Sequence, residues 1–393
     1  NRAGCSSVLP GIRHWILLRR RGMAEKRLWN DGWEFCELPF AETSMEIPVQ
    51  GDYRKVDLPH DYMIYDTTAL YRTSVGWYRK CFAVPADAFT ASAAHEENRV
   101  LPGEWLLDFD GVYMDSIVYV NGQKAMEWKY GYSAFEVDIT SFLKSGENRV
   151  DVRTVYEEPN SRWYSGAGIY RNVFLKKRQK DHFVTDGIYL TPVKEADGTW
   201  KVFGDIELSL QEDLAAFSVR QYLLDNEGNV LAETWAAVND EDGAAETGVA
   251  ETGAALLHTT LELQASPALW DIYEGNLYTV VTELYRGEEL IEQEKERIGF
   301  RTLVYDPDHG LLLNGRKMRL NGACEHHDFG GLGAAYRQAA ARRKLQKLKE
   351  MGINAIRTSH NMPAREFMDL ADEMGFLVLS EAFDMWEMPM TAK

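Results

Sequence analysis

The spacing of apolar residues changes once along this 393-residue chain, at Tyr305-Asp306-Pro307, and that change limits the fold more than any other feature. From Trp29 to Arg301 the apolar residues come in short alternating runs separated by turn residues. Examples are SVGWYRKCFAV (74–84), EWLLDFDGV (104–112) and SIVYVNGQKA (116–125), the last with the hairpin signal Asn121-Gly122. Many short strands with little helical periodicity predict β-sandwiches. A prior of roughly one domain per 100 to 200 residues allows two to four domains in all. The spacing predicts one sandwich over 23–180 and a second, immunoglobulin-like, over 181–303. Within the second, 236–255, rich in Ala, Gly, Glu, Asp and Thr, reads as a mobile loop.

Beyond Pro307 the period becomes helical. In RKLQKLKEMG, Leu345, Leu348 and Met351 share one stripe that stops at Gly352. In PAREFMDLADEMG, Phe367, Leu370, Ala371 and Met374 do the same before Gly375, with Pro363 expected in the first turn. Each helix leads into an apolar run, Ile353 to Ile356 and Phe376 to Leu379. The Met-Gly pairs stand 23 residues apart, about one helix plus one strand. Residues 304–393 therefore read as the start of a parallel α/β fold whose strands are covered on both faces.

All three expected parallel strands end in polar groups. KMRLNGA runs into Cys324, Glu325, His326, His327 and Asp328. The second strand runs into Arg357, Thr358, Ser359, His360 and Asn361, and the third into Ser380, Glu381, Ala382, Phe383 and Asp384. Clusters at the C-terminal edge of one parallel sheet are where such folds build active sites. Simpler readings stand beside this one: Arg357 forms an ion pair with Glu381 on the next strand, and Cys324 is a small packed side chain. His326, His327, His360, Glu381 and Asp384 are all metal-ligand types. However, neighbouring residues on a strand point to opposite faces, which separates His326 from His327, and no H-x-H or H-E-x-x-H occurs. No cofactor is implied, and a cation site finds no support in the sequence.

Three stretches carry a resemblance: RLNGACEHHDFGGLGAA, MGINAIRTSHNMPAREFMDLADEMGFLVLSEAFDMW and, upstream, SRWYSGAGIYRNV. They resemble the family-two glycoside hydrolases, the β-galactosidase and β-glucuronidase group, as do GFRTL (299–303) and PALWDIYEGNLYTV (267–280). The resemblance implies a jelly-roll sugar-binding domain, an immunoglobulin-like domain and the first three strands of a (β/α)8 TIM barrel. His326 matches a family histidine that contacts the sugar near the cleaved bond, and His360 matches a second one. Arg357, Asn361, Glu381 and Asp384 fall in the family's active-site shell. Arg162 and Trp163 resemble the loop by which the first domain reaches over the barrel mouth. Arg162 and the FDMW segment depart from the magnesium-dependent galactosidases, which place an acidic residue in that loop and a metal-binding acid and histidine after the third strand.

The implied function is a retaining exo-β-glycosidase, a β-galactosidase before a β-glucuronidase, acting on an oligosaccharide or β-glycoside. The alternative from a different class is a non-catalytic carbohydrate-binding protein. Retaining chemistry needs two carboxyl groups about 5 Å apart. In the family these are glutamates on later barrel strands, the first preceded by Asn, and Asn226-Glu227 is the nearest imitation here, inside a turn-like DNEGN. The chain is therefore expected to be an N-terminal portion that binds without cleaving. Alone it would leave apolar faces and a sheet edge uncovered and aggregate.

Charge and composition exclude other classes. Against 43 basic residues stand 61 acidic ones, a formal charge of -18, which argues against nucleic acid or an anionic membrane as partner. Val8 to Leu18 is broken by Pro10, Gly11, Arg13 and His14, far short of the ~20 residues a span needs, and Arg19 to Arg21 follow it where a signal peptide has its charge first. Four widely spaced cysteines without C-x-x-C read as reduced thiols in a cytoplasmic protein. Residues 1–22 read as a non-native leader before Met23. Homo-oligomers are common among the enzymes it resembles, and the sequence neither requires nor excludes one.

Overall fold

The computed structural model of the chain describes residues 24–48, 50–91, 99–211, 213–238 and 254–383. The expected leader, 1–22, and the site candidate Asp384 lie outside the described residues.

The alternating runs form two antiparallel sandwiches. In the first, a six-stranded sheet runs, in spatial order, through Arg54–Val56, Trp33–Pro39, Ser74–Val84, Gly146–Tyr156, Ser116–Val120 and Gln123–Trp128. It shares one core with a four-stranded sheet of Glu25–Leu28, Val173–Arg178, Glu104–Phe109 and Phe135–Asp138. The core side chains come from alternate positions: Phe35, Tyr78, Val118 and Val152 meet Leu107, Phe109, Val137 and Leu175. The Asn121-Gly122 turn has the two positive φ angles, 51° and 84°, that a tight primed hairpin requires.

In the second sandwich, His182–Lys194, Trp200–Ser209 and Ala254–Glu262 face Val230–Ala237, Phe217–Leu224, Tyr278–Arg286 and Glu289–Ile298. Strands Val230–Ala237 and Ala254–Glu262 extend two residues into each end of the expected 236–255 loop, and 239–253 lies outside the described residues. β-Pairing overrides the low strand propensity of these alanines because Ala236 and Ala255 pack on the core.

A small antiparallel sheet, Leu303–Asp306, Gly310–Leu313 and Arg316–Lys317, leads into three parallel strands, Gly322–Glu325, Ala355–Thr358 and Leu377–Leu379. Helix α1, Gln338–Glu350, follows the first and helix α2, Arg365–Met374, the second. The first two strands begin later than the apolar runs suggested. The Asn354 side chain accepts from the Asn321 amide and donates to the Arg319 carbonyl, a clamp beside the backbone bond from the Asn354 amide to the Asn321 carbonyl. As a result Glu325, Arg357 and Thr358 belong to the strands, not to the turns after them. Pro363 precedes α2 and its cap residue Ala364, and Met351 caps α1 with 73 % of its surface exposed, so the buried stripe is Ala341 and Leu345.

One face of the parallel sheet is covered. Ile356 and Val378 pack beneath Leu345, Phe367, Leu370 and Ala371 of the helices. The register also sets Cys324, Arg357 and Leu379 side by side, and all three are exposed. Cys324 is thus not packed as expected, because it falls on the uncovered face. Among the described residues Cys36 and Cys324 are free thiols and Cys81 is disulfide-bonded, which departs from the reading of uniformly reduced cysteines.

Both sandwiches are fastened to the parallel sheet. From the second, Trp270 donates to the Asp372 carbonyl over 2.8 Å and the Tyr273 hydroxyl to that of Ile353 over 2.9 Å. From the first, Asp61, only 2 % exposed, accepts four donors. Its Oδ1 takes the amides of Met63 and Ala167 at 3.0 and 3.1 Å, and its Oδ2 takes the Tyr164 hydroxyl at 2.6 Å and the Ala334 amide at 2.8 Å. Gly333, with φ +60°, leaves no room for a Cβ beside that carboxylate. Arg337 adds bonds of 3.1 Å to the carbonyls of Leu58 and Pro59.

Removing a carboxylate that satisfies three buried amides leaves donors that cost about 1–3 kcal/mol each. Asp61→Ala is expected to lower the unfolding free energy by about 3 kcal/mol or more. A urea midpoint within error of the parent would refute the assignment.

Candidate functional site

The three strand ends converge at the C-terminal edge of the parallel sheet, and a loop of the first sandwich joins them. Trp163, half-buried on that loop, lies 5.8 Å from the His326 ring and 5.3 Å from that of His360, and the two imidazoles are 5.8 Å apart at 88°. The three rings thus form a triangle contributed by one sandwich loop and two barrel strands. Trp163 Nε1 donates to the Tyr132 hydroxyl over 3.2 Å, fixing the indole.

Glu381 ties the second and third strand ends together. Its Oε2 meets His360 Nδ1 at 2.8 Å, its Oε1 pairs with Arg357, and its backbone amide donates to Thr358 Oγ1 over 2.9 Å. A carboxylate on Nδ1 fixes the proton there and leaves Nε2 of His360 as the ring's other polar atom. Arg357 therefore makes the ion pair that was the simpler of its two readings. The guanidinium also lies 3.9 Å from Cys324 Sγ.

His326 and His327, the two residues after the first parallel strand, diverge. His326 turns to the ring triangle, where burial and then the His360 imidazole depress its pKa. His327 lies part-buried between Tyr132 and Tyr170, with centroids 5.2 and 5.7 Å away, and its Nε2 donates to the Ser165 carbonyl over 3.0 Å. Burial lowers its pKa to about 4, so at neutral pH the ring is uncharged. Glu325 beside them pairs with Lys344, which also donates to the Asp328 carbonyl over 2.7 Å, and burial still pushes this carboxyl upward.

Asn361 is 3 % exposed and its Nδ2 has no partner among the described residues. It lines a cleft of about 410 Å³ with His326, His327, Tyr170, Arg171 and Tyr336. Arg162 stands exposed at the loop tip next to Trp163, and the ring triangle is built without it. The structure thus brings together Trp163, His326, His360, Glu381 and Arg357, with Asn361 on the adjoining cleft. Among the described residues no group of three or more His, Cys, Asp or Glu is arranged to hold a metal ion.

Three partners escaped the sequence reading. Tyr132 and Lys344 reach the site across long separations and carry no local motif. Asp61 acts on the site through Tyr164, the residue after Trp163, and nothing in the surrounding HDYM hints at a buried acceptor.

The chain's family models match in the same order as its folding units. The sugar binding domain of glycosyl hydrolases family 2 matches 22–189, a further family 2 model 183–301, and the family 2 TIM barrel domain 306–388. The chain belongs to glycosyl hydrolase family 2. A β-galactosidase of Bacteroides ovatus is 39 % identical over 94 % of this chain and 42 % of its own length. A putative β-glucuronidase of Formosa agariphila is 31 % identical over 94 % of this chain and 34 % of its own. Among solved structures, a family 2 member from Bacteroides cellulosilyticus superposes with a TM-score of 0.80 at 30 % identity, covering 93 % of this chain and 47 % of that one. The chain thus spans less than half the length of these relatives.

Because His327 is held uncharged, the folded protein resists its protonation, and that stability is present above the ordinary histidine pKa of about 6.5. It is lost as pH falls from there toward about 4. The expected loss is about 3 kcal/mol across that window. Denaturant titrations should show a pH slope about one proton shallower for His327→Gln than for the parent, and equal slopes would contradict it.

Proposed function

We propose that this chain forms the sugar-recognition part of a retaining exo-β-glycosidase, with β-galactosides as the leading substrate class. The observation that carries the reading is the triangle of Trp163, His326 and His360 at the sheet edge, braced by Glu381. Pyranose rings present a C–H face that stacks on an indole, and their hydroxyls are met by imidazole nitrogens. On this reading His326 and His360 Nε2 bind hydroxyls of the terminal sugar, Trp163 forms the wall of its subsite, and Asn361 supplies an amide. Arg357 holds Glu381, and Glu381 holds His360; Arg162 borders the entrance and Asp384 belongs to the same shell.

Residues 23–180 act as a jelly-roll sugar-binding domain, 181–303 as an immunoglobulin-like spacer and 304–393 as the opening strands of a (β/α)8 barrel. On this reading Glu381, committed to His360 and Arg357, is a positioning group and not one of the two catalytic carboxyls. The β-galactosidase relative at 39 % identity supports galactosides over glucuronides. No helix among the described residues is long and apolar enough to cross a membrane.

The test uses the complete open reading frame that contains this chain, assayed on nitrophenyl β-galactoside and β-glucuronide. His326→Ala and His360→Ala are each expected to lower kcat/KM on the preferred substrate by roughly 10²- to 10³-fold, about 3–4 kcal/mol of transition-state binding. Wild-type kinetics in both variants would overturn the site. Hydrolysis of the glucuronide alone would reassign the sugar.

A further inference from the structure

The second sandwich carries a built surface that the site above does not use. On the outer face of its four-stranded sheet, Trp235 is 55 % exposed, yet its ring is fixed in place. Its Nε1 donates to Glu233 Oε1 over 3.2 Å, Tyr285 lies 5.3 Å away at 40°, and the Arg220 guanidinium sits 5.6 Å from its centroid and 4.6 Å from that of Tyr222. The register makes these neighbours, since Arg220 pairs with both Trp235 and Glu283 across adjacent strands.

Beneath the rings, Glu283 is 5 % exposed and collects four donors. The Tyr285 and Tyr222 hydroxyls approach at 2.9 and 3.3 Å, Gln293 Nε2 at 2.7 Å and Arg220 at 3.3 Å. One buried carboxylate therefore orients two tyrosines, a guanidinium and an amide around an exposed indole.

We infer that this face is a second carbohydrate-binding surface, taking a neutral β-linked pyranose chain by stacking on Trp235. The charges decide the ligand class. Arg220 is already shared between Glu233 and Glu283, so the guanidinium is fully paired and the face keeps a small excess of acid, which turns away an anionic partner and offers acceptors to hydroxyls. It does present oriented acceptors: both bonds to Glu233 fall on Oε1, leaving Oε2 for a ligand hydroxyl, and Gln293 keeps its own Oε1. A protein interface needs roughly 800 Å² per partner with an apolar centre, and one indole ringed by charged side chains does not supply that. Fixed aromatic and polar groups lose little conformational entropy on binding, which suits a weak, repetitive ligand.

The inference deepens the glycosidase reading and rests on it for the ligand's chemistry, but uses a different surface. The test is affinity electrophoresis of the complete open reading frame's product through gels containing soluble β-1,4-galactan, galactomannan or xyloglucan, beside hydrolysis of nitrophenyl β-galactoside. Trp235→Ala is expected to weaken retardation at least tenfold in Kd and leave kcat/KM on the nitrophenyl substrate unchanged. His326→Ala is expected to do the reverse. Retardation lost only in His326→Ala would overturn the second surface and spare the proposed function; retardation by no polysaccharide, with nitrophenyl hydrolysis intact, would do the same. Absence of both binding and hydrolysis would remove both readings. A change of oligomeric state in Trp235→Ala, seen by light scattering, would make the face a protein interface and overturn the inference.

Discussion

The Asp61 carboxylate is the constraint on which the rest of the site depends. A buried carboxylate is costly unless its lone pairs are met, and here four donors meet them, three from the first sandwich and one, the Ala334 amide, from the segment before α1. Tyr164 is among the four, and its neighbours inherit the restraint. Trp163 is placed against His326 and His360, while the Ser165 carbonyl receives His327. The loop that brings an aromatic wall to the barrel edge is thus positioned by a polar contact two residues or fewer from each side chain that matters.

Around this frame the electrostatics are layered by depth. His327, part-buried between two tyrosines, is held uncharged by desolvation, and Glu325 pairs with Lys344. Further out, Glu381 is shared between a guanidinium and an imidazole, so the exposed part of the site is a chain of paired groups from Cys324 through Arg357 and Glu381 to His360. Paired charges fix orientation without presenting strong net charge, which suits recognition of a neutral, hydroxyl-rich molecule.

Much of this was legible in the sequence. Periodicity separated the two sandwiches from the α/β segment, because alternation and 3.6-residue spacing reflect which faces are buried. The convergence of His326, Arg357, His360 and Glu381 was legible too, since parallel strands carry whatever follows them to one edge. Strand starts were not, because the strands open on a side-chain clamp from Asn354 that no hydrophobic pattern encodes. Met351 and Cys324 misled for a related reason: each fits a stripe or a strand, but burial depends on what covers that element. Asp61 and Tyr132 could not be read at all, because their partners are set by packing between units far apart in sequence, and Lys344 reaches Glu325 and Asp328 from the outer side of a helix whose apolar stripe says nothing of it.

The separation of 273 residues between Asp61 and the Ala334 amide has a consequence for synthesis. At roughly 5–20 residues per second, the ribosome needs about 15 to 55 s to deliver Ala334 after Asp61 has emerged. Once Tyr164 and Ala167 have followed, 103 and 106 residues after Asp61, they and Met63 can hold the carboxylate within the first sandwich for the rest of that interval. The surface that will receive the barrel therefore waits as a polar, partly hydrated patch and not as a bare apolar one, and the growing chain keeps a soluble docking face until its partner is made.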